Sequence, residues 1–213
     1  VLAFNANELL DQARAIPRDP AARRFWLCLA VAFVPAAAIG LLLRGWIKAV
    51  LFASPAVIAW ALIVGGLVLI AVEKLPRRAE TTHGILAVNT WQALAIGVVQ
   101  VLALVPGVSR SGASIVGGML AGLDRRTATA FSFYLAIPTL GAATVVDLLG
   151  SLDQLNGTAI GQLALGTLIS ALVAWFSMAW LLRYVSNHSF VAFGIYRIVA
   201  GIVVLLLVQM AVL

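Results

Sequence analysis

Charge is scarce in this sequence: Asp, Glu, Lys and Arg make up 10% of 213 residues. A soluble domain carries about 25%. Cysteine is nearly absent as well. The single Cys28 excludes an internal disulfide or a cysteine metal cluster, and it says nothing about redox compartment. The two histidines, His83 and His188, fall in expected loops, where a solvated role is favoured over catalysis. What fills the chain instead is apolar: 63% hydrophobic residues and a mean hydropathy of +1.07. These values point to an integral membrane protein. The net charge of +6 does not argue for nucleic acid. Arg14, Arg18, Arg23, Arg24, Lys74, Arg77, Arg78, Arg125, Arg126 and Arg183 all fall in segments expected on one side, as cytoplasmic loops require. Membrane lipids with anionic head groups are the partners this charge suits.

The hydropathy pattern predicts an all-α polytopic fold: five transmembrane helices plus one re-entrant helix–turn–helix hairpin, forming a single domain over residues 1–213. Residues 1–22 form a polar juxtamembrane segment in which Phe4–Ala15 can make a short interfacial helix. Arg23-Arg24 ahead of an apolar run resembles a signal peptide, but the run is long enough to span and further spans follow. Full spans are expected at about Phe25–Leu43, Ala56–Val72, Thr127–Leu149, Ile160–Leu182 and Phe190–Met210. Residues 91–123 are different. Two short apolar stretches, Trp91–Val105 and Ala113–Leu123, flank a break at Pro106–Gly112. If this unit crossed once, Arg125 and Arg126 would lie opposite Lys74, Arg77 and Arg78. If it enters and returns, all five share a side and the opposite side keeps Arg44 and Lys48, which the positive-inside rule favours. The tip then lies near mid-membrane, where irregular backbone needs protein or a wet cavity around it. Pro35 with Gly40, and Pro138 with Gly141, hint at paired broken helices and an internal repeat.

The break reads Pro106-Gly107-Val108-Ser109-Arg110-Ser111-Gly112. Proline ends the hydrogen-bond ladder and glycine permits the turn after it. Backbone N–H groups from Val108 to Ser111 can converge on an anion, and the helix restarting near Ser111 adds its positive end. Arg110 offers planar, forked donors that match phosphate oxygens. Ser109, Ser111 and Ser114 add hydroxyls, and Gly107 and Gly112 let the backbone approach. Together they describe a phosphate or diphosphate cradle. The bland alternative for Arg110 is a structural ion pair with a buried carboxylate, but few acids are available at that depth. Gly118 and Gly122, spaced from Ser114 by four, are assigned to helix packing. Gln100 either polarises the pocket or hydrogen-bonds a neighbouring helix. Asp147 and Arg197 are expected to pair with each other or with backbone, or to reach an interface. Glu73, at a span end, is expected to be solvated.

The string from Pro106 to Ser114 resembles the arginine-bearing signature of the undecaprenyl-diphosphate phosphatases of the bacitracin-resistance type. The likeness continues through Gly117-Gly118-Met119-Leu120, Phe131-Ser132-Phe133-Tyr134-Leu135-Ala136-Ile137-Pro138 and Phe193-Gly194-Ile195-Tyr196-Arg197, from about Ala22 onward. The resemblance implies an inverted-repeat fold with two re-entrant hairpins in a bacterial cytoplasmic (inner) membrane, with a homodimer as one assembly. It implies hydrolysis of undecaprenyl diphosphate to the monophosphate, which recycles the lipid carrier for cell-wall synthesis. Arg110 and Ser109 then stand at catalytic positions, and Gly107, Val108, Ser111, Gly112, Ser114 and Gln100 at substrate-binding ones. Ser114 replaces the family's usual threonine with the hydroxyl kept. The family's first hairpin, glutamate-rich and followed by a Pro-Val-Ser-Ser-Thr-Gly-His-like run, has no match in Val1–Ala22. The expectation is therefore a chain lacking that hairpin, inactive alone, with the ligands for a divalent cation (Mg²⁺ or Ca²⁺) in the part that is missing. Two other readings use the same residues: a transporter or flippase binding a lipid phosphate or organic anion without hydrolysis, and a non-catalytic scaffold whose breaks serve packing.

Overall fold

A computed structural model describes residues 6–74, 82–152 and 157–210. In chain order it contains α1 (Ala6–Ala15), α2 (Pro20–Leu42), the short α3 (Arg44–Trp46), α4 (Pro55–Lys74), α5 (Thr90–Gln100), α6 (Arg110–Leu120), α7 (Arg125–Leu149), α8 (Gly157–Asn187) and α9 (Val191–Gln209). Among the described residues, five helices are long and apolar enough to cross a membrane: α2, α4, α7, α9 and the Ile160–Tyr184 part of α8. Of the segments named above, Phe4, Arg77 and Arg78 lie outside the described residues.

Local chemistry sets the boundaries. Asp19 caps α2, its Oδ1 accepting from the Ala21 N–H at 2.8 Å, and Pro20 follows at the first helical position. Asn89 and Gln92 form a reciprocal capping box at the start of α5. Asp124 caps α7. Pro35 and Pro138 sit inside continuous helices, α2 and α7, not at breaks.

α5 and α6 fold back on one another. A Cβ on Gly117 would lie 3.0 Å from the Val99 side chain and 3.3 Å from the Ile96 backbone, so the hairpin closes at glycine distance. At its open end, Gln92 Nε2 donates to the Ala121 carbonyl (3.0 Å) and to Thr82 Oγ1 (2.9 Å). Thr82 in turn strings the Gly122 carbonyl to the Asp124 N–H. Gly122 adds to one expectation. Beyond packing, it is a left-handed helix terminator (φ +93°), with Leu123 N–H on the Gly118 carbonyl and Gly122 N–H on the Met119 carbonyl. Gly118 does pack, against Ala128 of α7 at 3.0 Å. α5 also runs alongside α2, where a Cβ on Gly97 would lie 2.5 Å from the Ala32 carbonyl oxygen.

α4 and α9 make the other close pair, antiparallel and in near backbone contact. A Cβ on Gly66 would meet the Gly194 carbonyl at 2.6 Å, and one on Gly201 the Ala59 carbonyl at 2.7 Å. The core among α2, α5, α6 and α7 holds Phe25, Phe131, Leu135 and Ile96, with Phe25 edge-on to Tyr134 at 5.3 Å.

Glu73 is not solvated: its side chain is 5% exposed and lies 2.7 Å from Arg125 Nη2, and it accepts the Phe190 N–H at 3.1 Å. The pair joins the last turn of α4 to the first of α7 and the start of α9. Asp147 pairs with Arg44 at 2.7 Å near the other end of α7, and not with Arg197. His83 is exposed and 3.2 Å from Asp124, and His188 stacks on Tyr184 at 4.4 Å.

Candidate anion site at the helix break

The chain leaves α5 through a tighter turn of helix, Val101–Leu104. Val105, Pro106, Gly107 and Val108 then make a turn closed by the Val108 N–H on the Val105 carbonyl at 3.1 Å. Proline at the second position and a left-handed glycine (φ +92°) at the third are the residues a type II turn requires. Alanine would not fit at 107, because its Cβ would lie 2.5 Å from the Ile58 carbonyl oxygen of α4.

Ser109 (φ −65°, ψ 122°) caps α6, its Oγ accepting the Gly112 N–H at 3.1 Å and lying 3.1 Å from Ser111 Oγ. The anion-facing amides are therefore fewer than the sequence suggests. The Val108 N–H closes the turn and the Gly112 N–H goes to the cap. Those of Arg110 and Ser111, the first two residues of the helix, have no intrahelical acceptor, and that of Ser109 has none among the described residues.

Arg110 is half-buried, and its Nη1 donates to the Ser132 carbonyl of α7 at 3.3 Å. That anchor lies seven residues into α7, ~10 Å along its axis from Arg125. No carboxylate pairs with Arg110 among the described residues, so the ion-pair alternative has no partner here. Most of its donors face no protein acceptor. Ser114 turns away from the cradle. Its fully buried Oγ donates to the Arg110 carbonyl (2.9 Å) and shares a 2.6 Å hydrogen bond with Ser132 Oγ. It braces the first turn of α6 against α7.

Gln100, 2% exposed, makes no hydrogen bond to a neighbouring helix among the described residues, and its Oε1 is buried without a partner. A second guanidinium reaches the break: Arg197 Nη2 donates to the Gly107 carbonyl at 2.8 Å and to the Ala61 carbonyl at 3.3 Å. Backbone is thus its partner, one of the roles expected for it. Ser132 and the Arg197–Gly107 contact are what sequence reasoning missed. Both residues lie in strings that carry the family likeness, but only tertiary packing shows what they touch.

Two guanidinium groups, three unspent amides and the Ser109 and Ser111 hydroxyls gather at the break, with no carboxylate described among them; donors of this kind suit a polyanion. No group of three His, Cys, Asp or Glu able to hold a metal occurs among the described residues. The described residues at the break do not form a cation site.

The family model for bacitracin resistance protein BacA matches residues 2–203. The chain belongs to the BacA family. A relative from Deinococcus radiodurans, named undecaprenyl-diphosphatase, is 46% identical over all of this chain and 77% of its own length. Relatives of the same name from Cereibacter sphaeroides (45% identical; 96% of this chain and 76% of theirs) and Polaromonas naphthalenivorans (47%; 90% and 70%) agree. In this BacA-family chain the arginine-bearing signature is the segment that makes the turn, the cap and the first turn of α6.

Proposed function

We propose that this BacA-family protein is an undecaprenyl-diphosphatase, hydrolysing undecaprenyl diphosphate to undecaprenyl phosphate and inorganic phosphate. The observation that carries the reading is Arg110: a guanidinium anchored by one carbonyl, unpaired with any described carboxylate, at a helix start with three unspent amides, those of Ser109, Arg110 and Ser111. Water adds to the terminal phosphorus, the bond to the bridging oxygen breaks, and the lipid monophosphate leaves. The reaction places growing negative charge on oxygens, which Arg110 and the Arg110 and Ser111 amides stabilise where they already stand. Ser109, beside Arg110, orients a phosphate oxygen through its hydroxyl while capping the helix. Gln100, whose buried Oε1 has no partner among the described residues, is proposed to serve substrate binding. A divalent cation, which the family resemblance implies, finds no ligand set among the described residues.

The hairpin α5–α6 enters and leaves on the arginine-rich side of a bacterial inner membrane in this reading, because Arg125, Lys74 and Arg24 all lie at its open end. The shared name of the relatives favours hydrolysis over transport through the same cradle. The test is phosphate release from undecaprenyl diphosphate by the purified full-length protein in detergent. Turnover by the wild type and a loss of at least about a hundredfold in Arg110→Ala support the reading. Binding without release would favour the transporter, and an undiminished Arg110→Ala would end the assignment.

A further inference from the structure

We infer that Arg197 is a positioning residue for Arg110, acting through the Gly107–Val108 peptide; the inference rests on reading the Pro106–Gly112 break as the diphosphate site. Arginine within an apolar helix is expensive and needs a return. A simple staple between α4 and α9 would need only the Ala61 carbonyl, at 3.3 Å. The shorter bond, 2.8 Å, goes to Gly107, on a third element 90 residues away in sequence.

That bond completes a clamp. The Gly107–Val108 peptide has its carbonyl held by Arg197 and its N–H held by the Val105 carbonyl at 3.1 Å. With both ends of one peptide plane fixed, the direction in which the chain enters the Ser109 cap is fixed too. Arg110 is the next residue. A glycine-lined route lets the guanidinium arrive. Gly66, Gly194 and Gly201 bring α4 and α9 to backbone distance, and at Gly65 an added Cβ would land on Arg197 Nη2. Packing alone explains the first three glycines. Gly65 is explained by the guanidinium.

The test uses the intact protein in detergent micelles, with kcat, KM and thermal midpoint measured for Arg197→Met, Arg197→Lys, Gly65→Ala and the Gly65→Ala/Arg197→Met double variant. Gly65→Ala displaces the guanidinium without removing it, and alanine suits a helix better than glycine, so this arm stands if Arg197→Met does not fold. The expected result is a kcat lower by about tenfold or more in Gly65→Ala and in Arg197→Met. KM should change less, the double variant should be no worse than Arg197→Met, and Arg197→Lys should recover part of the loss. Full kcat in Gly65→Ala, or losses that add in the double variant or follow the thermal midpoint, would overturn the inference. A wild type without phosphate release, or an Arg110→Ala variant at full activity, would instead strike the diphosphatase reading itself.

Discussion

Ser114 Oγ lies 2.6 Å from Ser132 Oγ, in a contact that leaves Ser114 0% and Ser132 1% exposed. The same Ser114 hydroxyl donates to the Arg110 carbonyl, and the Ser132 carbonyl accepts from the Arg110 side chain. Backbone and side chain of one arginine are thus tied to one pair of serines, the backbone through the Ser114 hydroxyl and the side chain through the Ser132 carbonyl, which makes α7 the wall that Arg110 leans on. Replacing either serine by alanine leaves the other buried hydroxyl short of a partner. Each change is expected to cost about 0.6–1.7 kcal/mol, the range for hydrogen bonds between membrane helices. Ser114→Thr should keep most of the wild-type stability. Thermal unfolding in detergent measures both.

Gly107→Ala should be among the most damaging single changes in the break. The left-handed φ alone costs about 1–2 kcal/mol for a residue with a Cβ, and here that Cβ would also lie 2.5 Å from the Ile58 carbonyl oxygen. The turn would have to move, and Ser109 and Arg110 with it. The expected result is loss of phosphate release together with a lower thermal midpoint. Gly112→Ala, where the nearest neighbour is the Ser109 Cβ at 3.1 Å, should lose less of both.

Much of this was legible in the sequence, and the reasons for the rest are physical. Apolar runs of bilayer length gave the spans to within a few residues, because hydropathy is summed over a whole helix. Proline followed by glycine marked the break, because both act through their own backbone. What stayed hidden depends on pairs far apart in the chain. Glu73 reads as a solvated span end until Arg125 is brought to it. Gly122 sits at packing spacing from Gly118, yet its φ shows that it ends the helix. At the site, Arg110 and Ser109 announce themselves, whereas Ser132 is an ordinary serine in an apolar run until α6 packs against it.

Glu73 and Arg125 form a largely buried pair, with side chains 5% and 19% exposed. Glu73 also accepts the Phe190 N–H, and Arg125 donates to the His188 carbonyl at 3.0 Å and lies over the Phe190 ring. Breaking a buried pair by removing one member typically costs about 3–5 kcal/mol. Arg125→Met is expected to lower the thermal midpoint sharply, while Glu73→Gln/Arg125→Met should recover part of the loss. If the double variant is as unstable as Arg125→Met, the pair is not what holds α4, α7 and the start of α9 together.

Asp124 sets an acid limit on the hairpin. Burial by itself would raise its carboxyl, but the Thr127 hydroxyl and N–H, with His83 beside them, outweigh burial and hold it below the ordinary carboxylate range. A carboxylate depressed in the folded state adds stability that is fully present above its unfolded value, about 3.9, and is lost as pH falls through the lower folded value. Stability should therefore fall with pH below about 4, as protonation removes the cap of α7 and loosens the neighbouring strap from Thr82 to Asp124. Asp124→Asn keeps an acceptor for the Thr127 N–H but cannot titrate. It should lower stability near neutral pH and flatten the acid limb. Thermal midpoints of wild type and Asp124→Asn between pH 3 and pH 7 measure this, and acid limbs of equal slope would assign the sensitivity to other carboxylates.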